Sequence, residues 1–126
     1  MTELLMHRCF RITEPDLIAF YGNSKDIDTL ILKRYRGYKP EPESLDREDE
    51  SVDFMLESQQ TVSLLNIKEN EDHPFRSILL KSGMRAGFAL PADGKGILFL
   101  NFLHPYRFSF DQIKETEELI NRWRAS

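Results

Sequence analysis

One cysteine, Cys9, and three histidines, His7, His73 and His104, are the groups from which thiol or metal chemistry would have to be built. A single thiol cannot both attack and resolve within one chain, and it excludes an internal disulfide or a CxxC metal site. Cys9 stands at helical spacing from Leu5 and Ile12, where a free cysteine serves as a small apolar core residue. The histidines are too dispersed for the i, i+4 pair that holds zinc on a helix, so no metal ligand is assigned and each reads first as structural or surface. His73 precedes Pro74 at an expected helix start, where a haem or an anionic ligand could meet it. Arg76 and Arg85 are candidate bidentate donors to a carboxylate or oxyanion, set against the ordinary alternative of exposed arginines. No Ser-His-Asp order, Gly-rich phosphate loop or facing carboxylate pair can be placed, so no catalytic residue is named and the chain is expected not to be an enzyme. Glu41, Glu43, Asp46, Glu48, Asp49, Glu50 and Asp53 are opposed only by Arg47, and bunched carboxylates of this kind read as a solvated surface rather than a cation site.

These groups are positioned by a regular alternation of elements. Thr2 caps a helix running to about Ile12, with Leu4 beside the Leu5, Cys9 and Ile12 face, and Glu14-Pro15 ends it because proline disfavours helical geometry in the residue before it. Leu17 to Tyr21 is apolar at every position, the pattern of a strand covered on both faces. Gly22-Asn23-Ser24-Lys25 turns the chain into a second strand, from Asp28 to Arg36. Lys39 to Asp53, stiffened by Pro40 and Pro42, is expected as an exposed loop or crossover. Ser51 to Glu57 then carries Val52, Met55 and Leu56 at helical spacing, and Thr61 to Leu65 reads as a short strand. Asp72-His73-Pro74 starts a short helix with Phe75, Ile78 and Leu79 on one side, and Gly83 stops it. Arg85 to Leu90 and Gly96 to Leu103 form a hairpin about Asp93-Gly94. Ser109 and Gln112 make a capping box flanked by a Phe108–Ile113 staple, opening a last helix from Phe110 to about Arg124. That helix presents Phe110, Ile113, Ile120 and Trp123 on one face, with Leu119 at its edge.

The order implies an α+β domain: a central antiparallel sheet of five to six strands, terminal helices on one face and a helix-containing crossover on the other. At 126 residues and 40% hydrophobic, positions 1–126 fit one domain with a core of its own. Phe54, Phe75, Phe88 and Phe99 are expected to converge between sheet and crossover, as core first and as a ligand wall in the alternative. Phe110, Ile120 and Trp123 either pack a second copy of the last helix or dock on their own sheet. A net charge of -4 gives no reason to expect a nucleic-acid partner. The apolar runs are far shorter than the ~20 residues of a spanning helix, and the start lacks a signal-peptide pattern, so a cytoplasmic setting without membrane contact is expected.

From about Asp16 to Trp123 the succession of local phrases resembles a GAF domain, a sensory relative of the PAS fold. The phrases are Leu30-Ile31-Leu32-Lys33-Arg34-Tyr35-Arg36-Gly37-Tyr38, Asp72-His73-Pro74-Phe75-Arg76, Ser82-Gly83-Met84-Arg85-Ala86, the run from Ala89 through Asp93-Gly94 to Leu100, and Phe108-Ser109-Phe110-Asp111 before a helix. Asn66 stands where the family usually carries an acidic residue after its third strand. The resemblance implies a small-molecule ligand, of unassigned identity and cofactor class, between sheet and crossover. Phe54, His73, Phe75, Arg76, Leu79, Arg85 and Phe88 are its candidate contacts. It further implies a homodimer through terminal helices, with Phe110, Leu119, Ile120 and Trp123 as candidate interface residues, and a covalently linked output domain in signal transduction or transcription regulation. The alternative is a ligand-free dimerisation or interaction module whose pocket is filled by Phe54, Phe75 and Leu79. Family members that reduce free methionine sulfoxide need more than one thiol; those that attach a bilin want a cysteine near the crossover, often followed by histidine. Cys9-Phe10 meets neither requirement, and no Asn-Lys…Asp-Glu cyclic-nucleotide signature aligns.

Overall fold

A computed structural model describes residues 1–38 and 42–125. Lys39, Pro40 and Glu41 of the expected crossover, and the terminal Ser126, lie outside the described residues. The elements run α1 (Glu3–Thr13), β1 (Leu17–Asn23), β2 (Thr29–Gly37), β3 (Ser44–Asp46), α2 (Glu50–Ser58), β4 (Val62–Leu64), α3 (Arg76–Lys81), β5 (Ala86–Pro91), β6 (Gly96–Phe102) and α4 (Phe110–Arg124). One six-stranded sheet has the order β3-β2-β1-β6-β5-β4, and every pairing in it is antiparallel. The continuous apolar runs of β1 and β6 place them at its centre, where Ala19 pairs with Phe99 and both faces are buried. Among the described residues no helix is long and apolar enough to cross a membrane.

Strand alternation divides the core into two layers. Ile18, Phe20, Phe88, Leu98, Leu100 and Phe102 face α1 and α4, which contribute Met6, Cys9, Ile113 and Ile120. Leu17, Ala19, Tyr21, Ala89, Ile97 and Phe99 face the crossover, packed by Leu45, Val52, Met55, Phe75, Ile78 and Leu79. Terminal helices and crossover therefore cover opposite faces, as the element order implied. Two glycines permit the close strand crossings. A Cβ on Gly96 (φ +136°) would run into the Tyr21 carbonyl, and one on Gly37 (φ +100°) into the Asp16 carbonyl.

The helices begin where side chains can satisfy their first N–H groups. Thr2 accepts from Leu5 N at 3.2 Å, and Asp49 accepts from Ser51 N at 3.0 Å. Ser109 and Gln112 form the reciprocal box expected of them. The Gln112 amide also donates to Ile12 O at 3.0 Å, tying the start of α4 to the end of α1. In α1 the buried residues are Met6 and Cys9, while Leu4 points to solvent, a small rotation from the expected Leu5–Cys9–Ile12 face.

Three local expectations are corrected. The acidic crossover contains a strand, β3, because Leu45 turns into the core beside Leu30 while its neighbours face water. Helix α3 starts at Arg76 and not near Asp72. Turns precede it, and within them the His73 ring accepts the Phe75 N–H at 3.1 Å. The β5–β6 connection is a single 3-10 turn over Asp93–Lys95 and not a two-residue hairpin turn, closed by Ala92 N to Gly96 O at 2.7 Å.

Candidate functional site

On the crossover face the layers leave space against the central strands. Phe75 stacks on Phe99 with centroids 6.0 Å apart, and Tyr21 meets Phe99 edge-on at 5.5 Å. In the same layer lies an inner void of about 10 Å³, bounded by Leu17, Ala19, Tyr21, Pro42, Leu45, Ile78, Ser82, Phe99 and Asn101. That is close to the smallest space that admits one water. Outside it lies a groove of about 200 Å³ lined by Pro42, Ser44, Leu45, Asp46, Asp49, Val52, Ile78 and Lys81. Pro42, Leu45 and Ile78 belong to both and form the partition between them. The Tyr21 hydroxyl donates to Pro42 O at 2.6 Å, fastening that partition to the central strand. Burial, then the nearby Glu43 carboxylate, pushes the Tyr21 phenol up to about 12, so it remains a neutral donor.

Asn101 is the exceptional residue at this site. It is 2% exposed, and its Oδ1 has no hydrogen-bond partner among the described residues. Gly87 on the neighbouring strand makes room for it, since a Cβ there would meet Asn101 Oδ1 and a Leu79 methyl. A buried amide oxygen left unpaired costs about 1–3 kcal/mol. Its sequence signal is that Asn101 is the one polar residue in the run Gly96–Leu103.

The predicted contacts scatter. Phe75 and Leu79 lie in the crossover layer, fully buried. Phe88 faces the opposite layer and packs on Phe102 and Phe108, so it does not belong to this cavity. The uniformly apolar β5 offered no polar alternation to fix its parity, and a one-residue slip exchanges the faces. Phe54 is 46% exposed on the outer side of α2 and neither lines nor fills the void. Arg76 donates its Nε to Ile67 O at 3.1 Å. Arg85 is exposed and contributes its backbone, pairing with Phe102 O and Ile67 N. His73 holds Phe75 N and also bonds the Ser63 backbone; burial holds its pKa below the usual imidazole value, and the Ser63 bond works against that shift. None of these three bounds the inner void.

The interface candidates separate in the same way. Ile120 is 1% exposed and spent on its own sheet, which removes it from the expected interface face. Trp123 meets Phe20 edge-on at 5.4 Å and lies under the Lys95 ammonium, which also donates to Trp123 O at 2.7 Å. Leu119 is half-buried, and Phe110 is 68% exposed because Phe108 takes its place in the core against Phe88. Wider grooves run between α4 and β4, of about 430 Å³, and over α1 and α4, of about 470 Å³. In the first, Glu117 is already engaged by the Thr61 hydroxyl at 2.6 Å.

No family model matches the sequence, and no curated protein matches it. Solved structures do match. A GAF domain/HD domain protein from Geobacter sulfurreducens aligns with TM-score 0.75 at 14% identity, over 98% of this chain and 87% of that one. The GAF domain of a two-component sensor histidine kinase from Bacillus halodurans aligns with TM-score 0.73 at 14% identity, over 99% and 92%. The chain has the GAF fold. An enzyme shares that fold: a type II free methionine-R-sulfoxide reductase from Thermoplasma acidophilum aligns with TM-score 0.74 at 13% identity, over 97% and 88%. In the present GAF fold the lone thiol, Cys9, is buried in the helix layer, across the sheet from the void, and burial pushes it up to about 12. A thiol in that state is not a nucleophile at neutral pH.

Proposed function

We propose that the chain is a non-catalytic, cytoplasmic regulatory domain that senses a small molecule between its sheet and its crossover. The observation that carries the reading is Asn101, an unpaired buried amide at the edge of a void that one partition, Pro42, Leu45 and Ile78, separates from an outer groove. A ligand enters by displacing that partition and shifts the population toward the opened form, to the extent that it binds that form more tightly. The readout is the pose of α1 and α4, whose side chains share the central strands with the void. Assembly as a homodimer through the outer faces of these helices, around Phe110 and Leu119, and linkage to an output domain complete the proposal.

A second reading has its own support, because Phe75 and Leu79 are fully buried in the crossover layer and the void left beside them is only about 10 Å³. In that reading the domain is a ligand-free interaction module. Native mass spectrometry of freshly purified protein, beside its denatured mass and absorption spectrum, separates the two. A dimer with extra non-covalent mass supports the sensor; an empty dimer that no small molecule stabilises supports the module.

A further inference from the structure

The inner void has a chemical character that narrows what it can take. Its apolar lining is Leu17, Ala19, Pro42, Leu45, Ile78 and Phe99, and its polar residues are Tyr21, Ser82 and Asn101, of which the Tyr21 and Ser82 hydroxyls already donate to Pro42 O and Ile78 O. Among the described residues no carboxylate, ammonium or guanidinium bounds it; Lys81, Asp46 and Asp49 stand on the outer groove, where Lys81 pairs with Asp49 at 3.8 Å. An ion pushed into such walls would lose its hydration without gaining a counter-charge. A neutral group with both a donor and an acceptor loses little, because a carboxamide answers it in kind.

Resting on the sensory reading above, we propose that this site takes a compact neutral molecule, a branched aliphatic body ending in a carboxamide or similar uncharged head, with the head hydrogen-bonded to Asn101. Void and groove together fall below the roughly 300 Å³ at which sites for drug-sized ligands begin, which favours a body of a few carbons. The branched body replaces the partition contacts of Leu45 and Ile78, and the head gives Asn101 Oδ1 the partner it lacks. The Tyr21 hydroxyl, already donating to Pro42 O, is released only when the partition lifts.

The test uses the full chain and isobutyramide as probe, followed by NMR at the Asn101 side-chain amide and the Leu45 and Ile78 methyl groups. Isobutyrate, its charged isostere, is the comparison. The expected result is saturable, millimolar binding of isobutyramide that isobutyrate does not reproduce, weakened about tenfold or more in Asn101→Leu, where the probe's head is left unpaired. Asn101→Ser, which keeps a hydroxyl, retains part of the affinity and serves if the leucine variant does not fold. Equal binding of isobutyrate, or undiminished binding to Asn101→Leu, overturns the neutral-head assignment while leaving a ligand site in place. If neither probe nor an apolar one such as cyclopentane moves the Leu45 and Ile78 signals, the sensory reading itself falls, and this inference with it.

Discussion

Leu79→Ala is the most informative single change in the crossover layer. The side chain is fully buried, with one methyl against Gly87 and so beside Asn101. Removing three carbons forfeits about 2.4 kcal/mol of transfer free energy, and the unfilled space brings buried Leu→Ala changes to about 2–5 kcal/mol. Here the enlarged void also admits water to Asn101 Oδ1, recovering part of the roughly 1–3 kcal/mol carried by an unpaired buried acceptor. The expected loss is therefore near the lower half of the range, about 3 kcal/mol. For a chain of this length that is roughly 10–15 °C in Tm, read by circular dichroism, with a matching fall in the urea midpoint at unchanged m. Leu79→Met, which keeps the volume, is expected to cost less than about 1.5 kcal/mol. A loss below about 1 kcal/mol for the alanine variant refutes the reasoning, because such a small cost means that α3 is not locked onto the sheet in one cooperative core.

Four further outcomes follow from the same structure. The folded His73 ring binds its proton less readily than the unfolded chain does, so its contribution to stability is complete above the unfolded value near 6.5 and declines as pH falls through it; chemical denaturation of His73→Gln should show a shallower loss between pH 7 and 5 than the parent protein. Cys9 should react with a disulfide reagent in the folded state only through opening of the α1 layer, and a folded-state rate equal to that of the urea-unfolded chain contradicts its burial. Ser109→Ala removes one half of the capping box and is expected to cost about 1 kcal/mol in denaturant titration, with Ser109→Asp close to neutral. Gly96→Ala should destabilise far more than Gly94→Ala, since a Cβ meets the Tyr21 carbonyl at the first position and open space at the second.

Much of this architecture was legible from residue order. Ser109-Phe110-Asp111-Gln112 specified the start of α4 because the chemistry of a cap is local, and the uniformly apolar Leu17–Tyr21 run specified a central strand because no solvent face is possible for it. The same uniformity hid the parity of β5. With Ala86, Gly87, Phe88 and Ala89 all buried, only the tertiary placement of α3 and α4 decides that Phe88 faces the helices. The site was less legible than the fold. Residue types with reactive or charged ends, His73, Arg76 and Arg85, drew attention, yet their polar atoms serve backbone carbonyls and turns or remain in solvent. Asn101 matters because its surroundings withhold a partner, and a missing partner is a property of packing that no local pattern encodes. Leu45 was hidden for a related reason: three residues of strand within an acidic stretch leave too short a period to detect.

Helix α4 is moored at two stations. Near its start, Gln112 serves its own cap and the last turn of α1 at once; near its end, Trp123 is gripped by Phe20 from the central strand and by Lys95 from the β5–β6 tip. Eleven residues separate these stations, about 16 Å of helix. A rod fastened near both ends, and packed on the sheet between them through Ile113 and Ile120, resists sliding along its axis or pivoting at one end while the other stays still. It behaves as a beam, and any change of sheet curvature beneath it must be transmitted as a tilt of the whole length or break one of the two moorings. Weakening either one, with Gln112→Ala or Lys95→Ala, loosens that end while Ile113 and Ile120 stay packed on the sheet. The loosened end would then show in hydrogen exchange as a gradient of protection along α4, steepest toward the weakened station.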